Sequence, residues 1–240
     1  MPHSPYSCVL WDVDGTIADA TPGIFPRLVE VFASFGLAEP DPADLARWVG
    51  PPLYESFQKF AGLSTDDAGE ALTRYRALAA RDGYAASVVV YPGVADVVRA
   101  VADAGIPQST ASTKPENQVR AILEHNDLLR SFTTISGARS GEIGRNDGKA
   151  DVIGWALERL EAAGADTSRP VLIGDRHHDV EGAAMFGIPV IFDEWGFGES
   201  SEGDAAAFRV ADADALRALL LPDGGAAPQE STALPAEARG

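Results

Sequence analysis

Cys8-Val9-Leu10-Trp11-Asp12-Val13-Asp14-Gly15-Thr16 runs from four apolar residues straight into two acids and a glycine. A continuous apolar run of this kind reads as a strand buried on both faces. A glycine just past a strand end lets the backbone turn and approach a ligand closely. Alternate strand residues share a face, so Asp12 and Asp14 can address one small volume if extended geometry persists. Two carboxylates held that close repel each other, and a divalent cation or one shared proton relieves the repulsion. Asp and Gly are also ordinary turn residues, so this stretch alone leaves a plain acidic turn open.

Outward from it, the same pattern recurs. Short apolar runs at Thr133–Ser136, Val171–Gly174 and Pro189–Phe192 read as further buried strands. Ile106–Ser112 is expected to join them, although it is polar and contains Pro107. Between the runs lie helical periodicities: Val94, Val97, Val98 and Val101; Val119, Ile122 and Leu123; Val152, Ile153, Ala156 and Leu160. Strands alternating with helices predict an α/β fold with a doubly wound parallel sheet.

Residues from about Ala20 to Ser87 break the alternation, with helical periodicity and no convincing strand. Ile24, Leu28, Val31 and Phe32 make one face, and Leu72, Tyr75, Leu78 and Ala79 another. The expected organisation is therefore an α/β core over 1–19 and 88–221, interrupted by a helical cap over 20–87. An inserted helical unit at strand C-termini suits a lid over an active site. The stretch 222–240, rich in Ala, Gly, Pro and Glu, is expected to be disordered.

Composition bounds the partners. With 36 acidic against 19 basic residues among 240, the formal charge is −17, which disfavours nucleic-acid backbones and anionic membrane surfaces. It leaves small phosphorylated metabolites open, because a local lysine and a metal can reverse the field inside a pocket. The single cysteine, Cys8, permits no internal disulfide and reads as a small core residue. No apolar run is long enough to span a membrane. Met1–Ser7 lacks the features of a signal peptide, so a cytoplasmic location is the expectation.

Three further stretches carry chemistry. Ser112-Thr113-Lys114-Pro115 offers hydroxyls and backbone N–H groups beside a helix start, where phosphoryl oxygens can bind. The same residues also read as a helix cap with Pro115 in the first turn. Lys149 stands at the start of an amphipathic helix, against the helix dipole, and an anion would account for it there. Gly174-Asp175-Arg176-His177-His178-Asp179 again puts two acids just past an apolar strand. Oxygen donors of this type suit Mg²⁺. His177 and His178 raise zinc, but His3 and His125, the other histidines, lie in no motif.

In this order, Asp-x-Asp-Gly-Thr, Ser-x-Lys-Pro, Lys and Gly-Asp-x-x-x-Asp, the four stretches resemble the haloacid dehalogenase superfamily of aspartate-nucleophile phosphatases. The resemblance runs from about Tyr6 to Leu221. The phosphoglycolate phosphatase-like branch is the most similar, and Gly50-Pro51-Pro52-Leu53 and Tyr91-Pro92-Gly93 look like members labelled 5′-nucleotidases.

The resemblance implies Asp12 as nucleophile and Asp14 as general acid and base. It implies Ser112 and Lys149 as further catalytic residues on the phosphoryl oxygens. Mg²⁺ would be held by Asp12, Asp14 through its carbonyl, and Asp175, with Asp179 in support. Thr113, Gly50 and Pro51 would line the substrate site. The implied substrate is a small phosphomonoester, phosphoglycolate or a nucleoside 5′-monophosphate, turned over by a monomer or homodimer. The acid at Asp14 separates the chain from the dehalogenases proper, which lack it. A sugar phosphomutase and a catalytically silent phospho-ligand binder remain as alternatives. Ser112 stands where Thr is commoner, which keeps the hydroxyl, and Ala20 stands where Ser is usual.

Overall fold

The computed structural model describes residues 4–49, 51–144 and 146–222. Gly50, expected at the substrate site, and the tail from 223 onward lie outside the described residues. Strand β1 (Cys8–Trp11) has no exposed side chain. Its residues alternate between two layers: Val9 and Trp11 join one hydrophobic cluster, Cys8 and Leu10 the other. This is why its sequence is apolar throughout.

The chain then makes a two-residue strand, β2 (Ala18–Asp19), and enters a run of helices. These are α1 (Thr21–Ser34), the single turn α2 (Pro42–Leu45), α3 (Leu53–Ala61) and α4 (Thr65–Asp82). It returns through β3 (Val89–Val90), which pairs antiparallel with β2, Ala18 opposite Val90 and Asp19 opposite Val89. The outgoing and returning chains are thus bonded side by side. Ser64 caps α4 by accepting from the Asp67 N–H, and Gly62 ends α3 in the left-handed conformation. Trp48 packs edge-on against Phe32, Phe57 and Phe60, with ring centroids 5.5, 5.3 and 5.5 Å away. Buried Arg27 of α1 pairs with Asp82 of α4 at 3.1 Å.

Beyond β3 the α/β alternation resumes. It comprises α5 (Val94–Asp103), β4 (Gln108–Thr110), β5 (Ser112–Pro115), α6 (Glu116–His125), β6 (Gly137–Ala138) and α7 (Lys149–Ala162). It closes with β7 (Pro170–Gly174), α8 (His177–Ala184), β8 (Val190–Asp193), β9 (Phe208–Val210) and α9 (Ala213–Leu220). The central sheet has the order β4-β1-β7-β8-β9 and is parallel throughout. Chain order reverses on either side of β1, so the strand ends there open a crevice for ligands. No described helix is long and apolar enough to cross a membrane.

Two sheet expectations need correction. Thr133–Ser136 is not a strand: only Thr134 bridges, to Ser109, and the extended pair is the following β6 beside β5. The Thr133 and Thr134 N–H groups both turn onto one acceptor, the Gln108 carbonyl, which stops a ladder. Strand formation moves on to Gly137, where a Cβ would stand 2.7 Å from the Lys114 carbonyl oxygen. β9, at the opposite edge, was not anticipated. β4 is buried despite its polar sequence because the Gln108 side chain is satisfied. It accepts from Trp11 Nε1 at 2.9 Å and donates to the Val98 and Ser131 carbonyls at 3.0 and 2.9 Å.

Candidate active site

The acidic turn follows β1 without a break. The Asp12 N–H still donates to the Ile173 carbonyl at 2.9 Å, so Asp12 keeps its strand direction. Val13 to Ala18 then closes a tight turn, with Ile17 and Ala18 N–H groups on the Val13 carbonyl and the Gly15 N–H on Ala18. Gly15 has φ +93°, and a Cβ there would stand 2.2 Å from Asp175 Oδ2. Only glycine serves at this point, for conformation and for space.

The turn sends its two acids to different partners. Asp12, 3% exposed, meets Lys149 Nζ through Oδ2 at 2.9 Å, while its Oδ1 accepts from the Val13 N–H at 2.7 Å. Lys149 also pairs with Asp179 at 2.6 Å and donates to the Ala111 carbonyl at 3.0 Å. That carbonyl immediately precedes Ser112, which is buried and whose hydroxyl accepts from the Lys114 N–H at 3.3 Å. Three buried partners account for a lysine placed against the helix dipole.

Asp14 turns the other way, to Lys114 Nζ at 2.8 Å. Burial pushes its carboxyl above the ordinary range, and Lys114 opposes that shift. Asp14, Thr113, Lys114 and Pro51 all line one cavity, partly open to solvent, whose far wall is built from the inserted helices.

After β7, Asp175 and Asp179 are fully buried. Asp175 Oδ2 accepts from the Phe197 N–H at 2.6 Å, and Asp179 Oδ2 accepts from the Arg176 N–H at 3.0 Å as α8 begins. Asp12, Asp175 and Asp179 each bring a carboxylate oxygen within 4.8 Å of the others. Burial raises the carboxyls of Asp175 and Asp179, and their mutual repulsion and Asp12 add to it for Asp175. Asp175 Oδ1 is buried without a hydrogen-bond partner. Three hard oxygen donors with one orphaned lone-pair site fit a divalent cation such as Mg²⁺. The Asp14 side chain is not in that cluster. His177 and His178 are not in that cluster; with Glu181 they form a second, more exposed group whose ligand atoms lie within 4.8 Å of one another, and His177 Nδ1 is 2.6 Å from Glu202 Oε2.

Two residues that the sequence reading passed over belong to this region. Lys114 was quoted in its motif but given no part, and it holds the second acid. Asp193, at the end of β8, is 1% exposed, accepts from Thr16 Oγ1 at 2.7 Å through Oδ2 and leaves Oδ1 without a partner. Burial first and Asp175 second raise its carboxyl well above the ordinary range. Its signal was present, since it is an acid ending an apolar strand, as Asp12 and Asp175 are. The Trp195–Phe197 loop after it packs on the acidic turn, Trp195 Nε1 donating to the Thr16 carbonyl at 3.1 Å.

The sequence model of a family described as haloacid dehalogenase-like hydrolase matches residues 9–192. The chain is 34% identical over 193 residues to a protein of Mycobacterium tuberculosis named tyrosine-protein kinase PtkA, covering 80% of this chain and 63% of that one. It therefore spans less than two thirds of that relative's length. It is 31% identical over 217 residues to a 5′-nucleotidase of Pseudomonas aeruginosa, covering 90% of this chain and 96% of the relative. Its fold is similar to the crystal structure of a predicted phosphatase from Clostridium acetobutylicum, with a TM-score of 0.80 and 31% identity over 88% of this chain and 96% of that one.

Proposed function

This chain belongs to the haloacid dehalogenase-like hydrolases, and on that premise we propose that it is a phosphatase hydrolysing a small phosphomonoester through an aspartyl-phosphate. The observation that carries the reading is the division of labour between two acids two residues apart. Asp12 lies in the buried carboxylate cluster beside Lys149, and Asp14 borders the cavity.

Asp12 attacks phosphorus while the ester P–O bond breaks, and the leaving oxygen takes the proton of Asp14. Asp14 then accepts a proton from the water that attacks the aspartyl-phosphate, releasing inorganic phosphate and restoring the Asp12 carboxylate. Burial of Asp14 favours the protonated form that the first step requires. Lys149 and the Ser112 hydroxyl neutralise and orient the phosphoryl oxygens, with Thr113 beside them. Asp12, Asp175, Asp179 and the Asp14 carbonyl would hold Mg²⁺. Bound there, the ion would offset the charge on nucleophile and phosphoryl group as they approach.

The inserted helices would serve as a cap over 20–87 that selects the leaving group. Phosphoglycolate and nucleoside 5′-monophosphates are the candidate substrates, the latter supported by the similar 5′-nucleotidase. The test is phosphate release across a panel of phosphomonoesters with Mg²⁺ or EDTA, repeated with Asp12→Asn. The expected outcome is metal-dependent release that the variant abolishes. Retained turnover in Asp12→Asn would sink the nucleophile assignment.

A further inference from the structure

The cavity beside Asp14 has a charge inventory that bears on the leaving group. Among its described lining residues are two bases and two acids. Lys114 is paired with Asp14 at 2.8 Å, and Arg76 donates to the Gly141 carbonyl at 2.9 Å. Asp147 is paired with Arg139 at 2.6 Å. Of the two bases, Lys114 meets a carboxylate and Arg76 a neutral carbonyl.

The wall contributed by the inserted helices is apolar and aromatic. Ile24, Trp48, Leu72 and Tyr75 are each at most 6% exposed, and half-buried Leu53 stands beside them. Trp48 is fixed by its three ring contacts, so this wall is preformed. A mostly apolar cavity with a few polar groups at one end suits a flat ring whose oxygen reaches that end. A two-carbon acid would leave most of this apolar wall uncovered.

We propose that this cavity selects phosphomonoesters whose leaving alcohol bears an uncharged ring, in preference to a small leaving group such as glycolate that cannot cover its apolar wall. The inference rests on the phosphatase reading for the position of the phosphoryl group. It goes beyond it by choosing between the candidate substrates.

The test compares benzyl phosphate with 2-phosphoglycolate, two esters of poor leaving alcohols. Dissociation constants are measured by titration calorimetry in Asp12→Asn with Mg²⁺, and kcat and KM in the unaltered protein. Benzyl phosphate is expected to bind on the order of 10-fold or more tightly, from burial of its ring. Leu53→Lys, which brings a cation to the wall, is expected to reverse the order through KM. Phosphoglycolate binding as tight or tighter, or no binding of benzyl phosphate, overturns the proposal. Tight benzyl phosphate binding with no turnover by the unaltered protein would instead remove the hydrolase reading and leave the selectivity standing.

Discussion

Asp175, Asp179 and Asp193 are buried acids whose carboxyls burial raises above the ordinary range. A raised carboxyl binds its proton more tightly in the folded protein than in the unfolded chain. Its stabilising protonation is complete at low pH and is lost as pH rises from the ordinary carboxylate range, near 4, through the raised folded value. The metal-free protein is therefore expected to melt several degrees lower at pH 8 than at pH 5, since about 1 kcal/mol moves Tm by roughly 2–4 °C at this size. Mg²⁺ should raise Tm more at pH 8 than at pH 5, because it binds the ionised form. Differential scanning calorimetry with EDTA or Mg²⁺ checks both; a metal-free Tm that rises over this range would count against the carboxylate cluster as described. At this scale the sequence was informative where an acid followed an apolar run, as at Asp12 and Asp175. The partner of Asp14 was not legible, because which nearby cation reaches an acid depends on how strand ends stack. Lys114 follows β4, a neighbour of β1 in space and 100 residues away in sequence.

Among elements, the turn after β1 is the most constrained. Gly15 combines φ +93° with a 2.2 Å approach of an added Cβ to Asp175 Oδ2. Gly15→Ala must therefore strain the backbone, at a cost of about 1–3 kcal/mol, or displace Asp175. The expected outcome is a loss of kcat on the order of 100-fold, because small misplacements of positioned groups are that costly, together with weaker Mg²⁺ binding. Calorimetric Mg²⁺ titration and steady-state kinetics check it; an unaltered Mg²⁺ affinity would mean that the turn adapts. Buried strands with apolar sequences were readable because parallel strands covered on both faces have no polar side. β4 was readable only as a suspicion, since its Gln108 is buried through three hydrogen bonds to distant partners. β9 and the displaced β6 lie at or beyond the sheet edges, where pairing depends on tertiary contact rather than on local preference.

Across the whole molecule, the inserted helices touch the sheet side through named contacts. Arg176 Nη1 donates to the Val49 carbonyl at 2.5 Å while Nε holds Glu202 at 3.0 Å, and Arg76 reaches Gly141 from α4. Arg176 follows Asp175 directly, so the loop that carries a candidate metal ligand also grips the inserted part. Arg176→Gln is expected to raise KM severalfold and to speed proteolytic cleavage in the helices of the insert, with a smaller change in kcat. Kinetics alongside timed proteolysis check this, and cleavage no faster than in the unaltered protein would mean that Arg176 does not hold the insert closed. The helical character of this region was legible from its periodicity. Its grip on the loops of the sheet side was not, because the contacts run to backbone carbonyls, which every residue possesses.

The pairing of β2 with β3 has a further consequence. The chain leaves for the insert at Asp19 and returns at Val89, which face each other across one short ladder. The two ends of the insert therefore leave the sheet side by side, whatever length of chain runs between them. The short ladder works as a clasp, so the insert is tied to the sheet at a single doorway rather than at two separate anchor points.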